Sequence, residues 1–261
     1  MKPALMITLV LSSAITYADE VKLYSRYQDM DNGYESATAV GVRGVFNNYK
    51  GAKGTLVVGF ENKQWDIGTR NKPANNLDVA VYQNLSDAAF QVFQVQLGSS
   101  NLYPRAGFFY ELDYKTPPNR SLVLGVGGGH QCFQDKDCYD AVKLGPTLYL
   151  QEGQLGHVGY RYTRYSSNGH NHTVFGEWRA SNQLSLTSTV MQGSGAYRVL
   201  LPVPTALTEV DAMSFDIGAN WTVDNVVWHV KLGQTQVDNA TTGGASVYSS
   251  QDVELGVSKV W

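Results

Sequence analysis

Over most of its length this chain alternates apolar and polar residues one by one. A period of two sends successive side chains to opposite faces of a strand, so the pattern predicts β-structure throughout. Phe108, Tyr110, Leu112 and Tyr114 share one face, opposite Gly107, Glu111 and Asp113. Met213, Phe215, Ile217, Ala219 and Trp221 oppose Ser214, Asp216, Gly218 and Asn220. Helical periodicity is nearly absent. Fourteen strands are expected, at 21–28, 38–46, 54–61, 77–83, 88–97, 105–114, 121–128, 141–151, 155–165, 172–179, 184–191, 212–221, 226–234 and 253–261. Twelve is the alternative count.

Alternation alone fits a soluble sandwich, polar outside, or a membrane barrel, polar inside. Three features select the barrel. Residues 1–18 read as a signal peptide: Lys2 is the positive start, the stretch from Ala4 to Leu11 the apolar centre, and Thr16-Tyr17-Ala18 the cleavage site. Residues 19–261 then form one barrel domain. Every second connection is a compact turn rich in Asn, Asp, Gly or Pro (47–53, 84–87, 116–120, 152–154, 180–183, 222–225), and the longer loops lie between them (62–76, the cysteine loop, 193–211, 237–252). Short turns at one end and longer loops at the other mark outer-membrane barrels. The chain also ends on an aromatic residue, Trp261, in step with Val253, Leu255 and Val257. The expected fold is therefore all-β: a single transmembrane antiparallel up-and-down β-barrel behind a cleaved signal peptide, in the bacterial outer membrane. After the first segment no stretch of 18 apolar residues remains to form a membrane helix.

Composition agrees. Charged residues make up 16%, while Tyr (16) and Gly (26) are abundant. A net charge of −3 gives no basic footprint for nucleic acid. Cys132 and Cys138 lie close together in an exported chain, and a single disulfide is the expected pairing.

The stretch 145–197 carries Gly145-Pro146, then Gly159-Tyr160-Arg161-Tyr162-Thr163-Arg164-Tyr165, then Gln192-Gly193-Ser194-Gly195-Ala196-Tyr197. In that order these resemble the YaiO family of outer-membrane β-barrel proteins. The likeness covers about a fifth of the chain clearly. It implies location and fold, suggests a link to surface polysaccharide export, and brings no catalytic residues.

Charges on the polar faces belong in the lumen, because a charge at the bilayer midplane costs about 2–4 kcal/mol. The candidate lumen-lining set is Arg26, Arg43, Glu61, Asp78, Glu111, Asp113, Lys143, Arg161, Asp216, His229, Lys231 and Glu254. They serve either as a ladder of ion pairs or as the wall of a hydrated pore. Phe108, Tyr110, Tyr160, Tyr162, Phe215, Trp221, Trp228 and Trp261 are expected on the membrane face as an aromatic girdle. A hydrolase would need a Ser beside a His near the outer interface. His130, His170 and His172 lie by the outer loops, but nothing in the sequence forces a Ser beside them. His170-Asn171-His172 specifies no third metal ligand and reads as a solvated loop. No cofactor, metal or catalytic residue is assigned. The expected partners are the lipid bilayer, the barrel-assembly machinery through the last strand, and a polar solute or polysaccharide. The function these expectations compose is a channel or export component; a closed barrel acting through its loops is the first alternative and a lipid-modifying outer-membrane enzyme the second.

Overall fold

The computed structural model describes residues 18–31, 36–47, 54–67, 70–99, 103–117, 121–133, 138–150, 154–166, 169–195, 210–239 and 245–261. The expected signal peptide, Ala18 apart, lies outside the described residues, as do 48–53 and 196–209 of the predicted connections.

Fourteen strands form: β1 Glu20–Met30, β2 Ala37–Asn47, β3 Gly54–Ile67, β4 Arg70–Asn84, β5 Ala89–Gly98, β6 Ala106–Lys115, β7 Leu122–Cys132, β8 Cys138–Tyr149, β9 Leu155–Tyr165, β10 His170–Ser181, β11 Leu184–Gly195, β12 Val210–Val223, β13 Val226–Asn239 and β14 Ala245–Val260. Each pairs antiparallel with its sequence neighbours, and β1 pairs with β14 from Glu20↔Val260 to Met30↔Ser250, closing the barrel. Closure leaves no edge strand with unpaired backbone groups, which lipid requires. At the seam Trp261 donates its backbone N–H to the Asp19 carbonyl at 3.0 Å.

The strand ends joined by the compact turns gather at one end with Asp19 and Trp261, and the remaining connections lie at the other; these are called the turn end and the loop end. In the turn between β12 and β13, Asp224 adopts φ 53°, a left-handed conformation that Asp tolerates better than most residues.

The barrel is apolar on its outside. Val40 is 63% exposed and Leu255 59%, and Leu23, Val158, Val174, Phe215 and Leu232 are exposed with them. A band of large apolar side chains around a closed barrel is stable only against lipid.

The structure lengthens several strands. The expected loop 62–76 is mostly hairpin, because β3 runs to Ile67 and β4 starts at Arg70. Residues 237–252 likewise belong to β13 and β14 apart from a short connection, with a register shift between Val237 and Asp238. β7 and β8 continue to the two cysteines, and β11 and β12 to Gly195 and Val210. Beyond the bilayer the outer face need not be apolar. The hydrogen-bond ladder therefore continues where alternation in hydropathy stops: Asn62, Gln64, Gln234 and Gln236 sit on the outer face at the loop end.

Candidate functional site

The inner wall presents the side chains of one parity from every strand, and the predicted charged residues fall on it. Most are joined across strands. Arg26 donates from Nη2 to Glu254 Oε2 at 2.8 Å and from Nε at 3.1 Å, and Lys22 Nζ reaches Glu254 Oε1 at 3.4 Å. Lys143 Nζ meets both oxygens of Glu111 at 2.7 Å, although β7 lies between them. The intervening residue of that row is Gly127, so no side chain blocks the reach. Lys231 pairs with Asp216 at 3.0 Å, and Arg43 with Asp78 at 3.8 Å. Glu61 is buried and accepts from two tyrosines: Tyr24 Oη at 2.8 Å, and Tyr103 Oη in a shorter hydrogen bond. Asp113 is buried beside this ladder, and Arg161 shares a row with Lys143. His229 is held between Asn220 Oδ1 at 2.6 Å and Ser258 Oγ at 2.7 Å.

Alternate charges and bulky groups keep the wall dense. Tyr24 lies across Gly41 of the next strand, and Phe175 lies across Gly159. Tyr103 was not legible as a site residue. It stands in the connection after β5 and turns inward over the wall to Glu61, a loop contact that strand parity does not encode.

At the loop end the inner face changes character. Met30, Ala37, Trp65, Ala212, Val237 and Tyr248 form one buried apolar cluster, with Met191 and Val247 packed against it. Trp65 is 2% exposed, and Tyr248 and Val237 are 0%. Contributions come from β1, β2, β3, β11, β12, β13 and β14, a contiguous arc of the barrel. This apolar cap was missed because Trp65 and Tyr248 fell in stretches expected to be loops. Parity could have found them: Trp65 continues the series Val57, Gly59, Glu61, Lys63, and Tyr248 the series Ser250, Asp252, Glu254.

Below the cap is a chamber of about 190 Å³, with Arg26, Gln28, Lys63, Met191, Asp216, Lys231, Asp252 and Glu254 in its wall. A second hollow, about 610 Å³, lies on the lipid side between Trp178, Leu186, Ile217 and Leu232, where Gly156 and Gly176 leave room; its lining suits acyl chains.

The predicted membrane-facing aromatics lie on the outer face. Phe108, Tyr110, Tyr160, Phe215, Trp221, Trp228 and Trp261 are exposed, and Tyr162 is half-buried against His170 and His172. Trp221 and Trp228 face each other in register at the turn end, stacked with ring centres 6.5 Å apart.

Cys132 and Cys138 form the disulfide, as a directly opposed pair at the loop end of β7 and β8. His130 beside it bonds Asp140 at 2.8 Å. The two sulfurs are spent in the disulfide, so this cluster offers no thiolate to a metal. His170-Asn171-His172 is not a loop but the start of β10, both imidazoles on the outer face in edge contact. The register also sets Ser194 opposite His170, which the sequence reading did not foresee. Its Oγ lies 3.3 Å from Nδ1 and 3.4 Å from Nε2. Near-equal distances put the hydroxyl in line with neither nitrogen lone pair. His172 Nδ1 is engaged by Tyr160 Oη at 2.6 Å. Among the described residues no carboxylate is hydrogen-bonded to His170, while Asp211, opposite Ser194, and Asp238 line the same outer pocket as the two imidazoles.

No protein-family model matches the sequence, and no curated protein matches it. Solved structures do resemble the fold. A monoaromatic hydrocarbon channel, CymD, aligns over 97% of this chain and 92% of its own at a TM-score of 0.56 and 9% identity. A bacterial polysaccharide outer membrane secretin aligns over 93% and 98% at 0.53 and 11% identity. An outer membrane channel from Pseudomonas putida F1 aligns over 93% and 95% at 0.52 and 11% identity. The shared property is architecture: the chain has the fold of bacterial outer-membrane β-barrels. In that architecture the turn end is periplasmic and the loop end extracellular.

Proposed function

We propose that the protein is an outer-membrane channel or export component for polar solutes, surface polysaccharide among them. The observation that carries this is the inner wall. It holds charges of both signs from strands all around the barrel, in pairs such as Arg26–Glu254, Lys143–Glu111 and Lys231–Asp216. Paired charges cost less to hold in a narrow lumen than single ones, and they still offer donors and acceptors to a hydrated solute. The predicted lumen-lining residues act in this reading as the pore wall, and no catalytic step is assigned to them. The polysaccharide alternative is supported by the YaiO-like motifs between 145 and 197 and by the name of the secretin that shares the fold. Export through cleavage after Ala18, and recognition of the last strand by the barrel-assembly machinery, complete the proposal.

A second reading is favoured by one observation, the apolar cap at the extracellular end. It makes the barrel a closed body that acts through its outer loops. Planar-bilayer recording of the refolded protein separates the two. Stepwise conductance in salt is expected for the channel; a silent bilayer at every voltage and salt concentration, with folded protein inserted, would leave the closed barrel.

A further inference from the structure

The chamber under the apolar cap has an unusual charge inventory. Three cations, Arg26, Lys63 and Lys231, face three anions, Asp216, Asp252 and Glu254, so its wall sums to zero. Four of the six are committed: Arg26 to Glu254 at 2.8 Å and Lys231 to Asp216 at 3.0 Å. The other two, Lys63 and Asp252, touch no oppositely charged group among the described residues and attract one another across the chamber without contact. The Lys63 ammonium contacts Gln28 Oε1 at 3.4 Å and lies 5.5 Å from the centre of the Trp65 ring, neither of them an anion. Gln28 in turn donates to Ser250 Oγ at 3.1 Å, which fixes that floor below the cap. Asp252 stands on β14 in the row that passes through Gly233 to Asp216, so no side chain comes between it and the chamber.

A small space with one uncommitted cation and one uncommitted anion selects by charge pattern rather than by net charge. An anion satisfies Lys63 and is repelled by Asp252, and a cation does the reverse. A solute with both charges satisfies both and leaves the wall neutral. The chamber, about 190 Å³, has room for one small solute. Met191 belongs both to the apolar cap and to the chamber wall.

We propose that this chamber is a binding site for a small zwitterionic solute, with Lys63 taking its carboxylate and Asp252 its ammonium. The assignment narrows the solute class of the channel reading and rests on that reading for its physiological use. Trp65 and Tyr248 belong to the apolar cluster against which the chamber residue Met191 packs.

The test uses the full-length refolded protein in detergent, titrated calorimetrically with L-alanine, propionate and isopropylammonium. L-alanine is expected to bind and the two singly charged halves to bind far less. Lys63→Met and Asp252→Asn should each weaken L-alanine roughly tenfold to a hundredfold, the worth of one charge-assisted hydrogen bond. They should also shift preference in opposite directions: Lys63→Met toward isopropylammonium, Asp252→Asn toward propionate. A purely structural role for either residue would not produce that exchange. Heat-modifiable migration on gels establishes that each variant is folded, and the double variant Lys63→Met/Asp252→Asn, neutral again, covers the case where one single variant does not fold. Wild-type protein that binds no L-alanine, or folded variants that bind it like the wild type, would overturn the site. Planar-bilayer recording on the same preparation separates the two claims: binding without conductance removes the channel and keeps the chamber, and conductance without binding removes only the chamber.

Discussion

Replacing Gly41 by Ala tests whether the lumen wall is packed as the structure has it. The Tyr24 phenol lies over Gly41, so that a Cβ there would fall on the ring. The neighbouring strands are tied by a full ladder, Tyr24 standing opposite Gly41 itself, and the backbone cannot move apart without breaking it. The ring must therefore swing away. Overpacking of this kind costs about 1–3 kcal/mol. Swinging the ring also breaks the 2.8 Å hydrogen bond from Tyr24 Oη to the Glu61 carboxylate, worth roughly 1.5–3 kcal/mol. The expected loss is about 3 kcal/mol, because Glu61 keeps its second donor, Tyr103. The assay is urea unfolding of the protein refolded into lipid vesicles, followed by tryptophan fluorescence. Tyr24→Ala makes room for the new Cβ, so Tyr24→Ala/Gly41→Ala should unfold within about 0.5 kcal/mol of Tyr24→Ala alone, the non-additivity expected of residues in contact. Gly41→Ala within about 0.5 kcal/mol of wild type, or a double variant that loses the sum of the two singles, would refute this packing of Tyr24 on Gly41.

Reduction of the Cys132–Cys138 disulfide opens a loop with a sequence separation of 6; loop-closure entropy for so short a span sets the destabilisation at about 2 kcal/mol at most, and the reduced protein should still migrate as a folded barrel on gels. A larger loss, or collapse of the folded band, would show that the bond holds more than this hairpin tip. At the extracellular end of β1, Asp31 accepts hydrogen bonds from the Ser249 hydroxyl and backbone N–H, both at 2.6 Å, and these hold its carboxyl below the ordinary range. A depressed pKa adds stability above the ordinary Asp value of about 4, and that stability disappears as pH falls through the depressed value. The stability gap between wild type and Asp31→Asn should therefore shrink on acidification below about pH 4; a gap that widens there would contradict the clasp.

Much of this molecule is written in its hydropathy pattern, for a reason that also marks where the pattern stops. Within the bilayer each strand must be apolar outward, since a charge facing lipid is costly. Residues such as Phe108, Tyr110 and Leu112 therefore report their own orientation, and Glu111 and Asp113 report theirs by contrast. The face of every candidate charge followed from that constraint. The partner of each did not. Lys143 reaches Glu111 across a whole strand because the residue between is Gly127, and only a register supplies that row. Tyr103 comes from a connection, where no periodicity applies.

The constraint ends at the headgroups, and the unforeseen residues lie beyond or beside that level. Above it the outer face is free to be polar, as at Asn62, Gln64 and Gln236, so hydropathy no longer alternates and the strands read as loops. The inner parity nevertheless continues, through Lys63 and Trp65 on β3 and through Tyr248, Ser250 and Asp252 on β14. These five include two residues of the cap and both uncommitted charges of the chamber. The coincidence has a physical basis. Where lipid dictates the outer face, mutual pairing of inner charges keeps the wall stable. Where the strands leave the bilayer, the inner face can carry an apolar cap or an unpaired charge, because water at the mouth relieves part of the cost. A barrel that discriminates solutes would accordingly be expected to place its selective residues on the loop-end extensions of its strands, where this one has Lys63, Trp65, Tyr248 and Asp252.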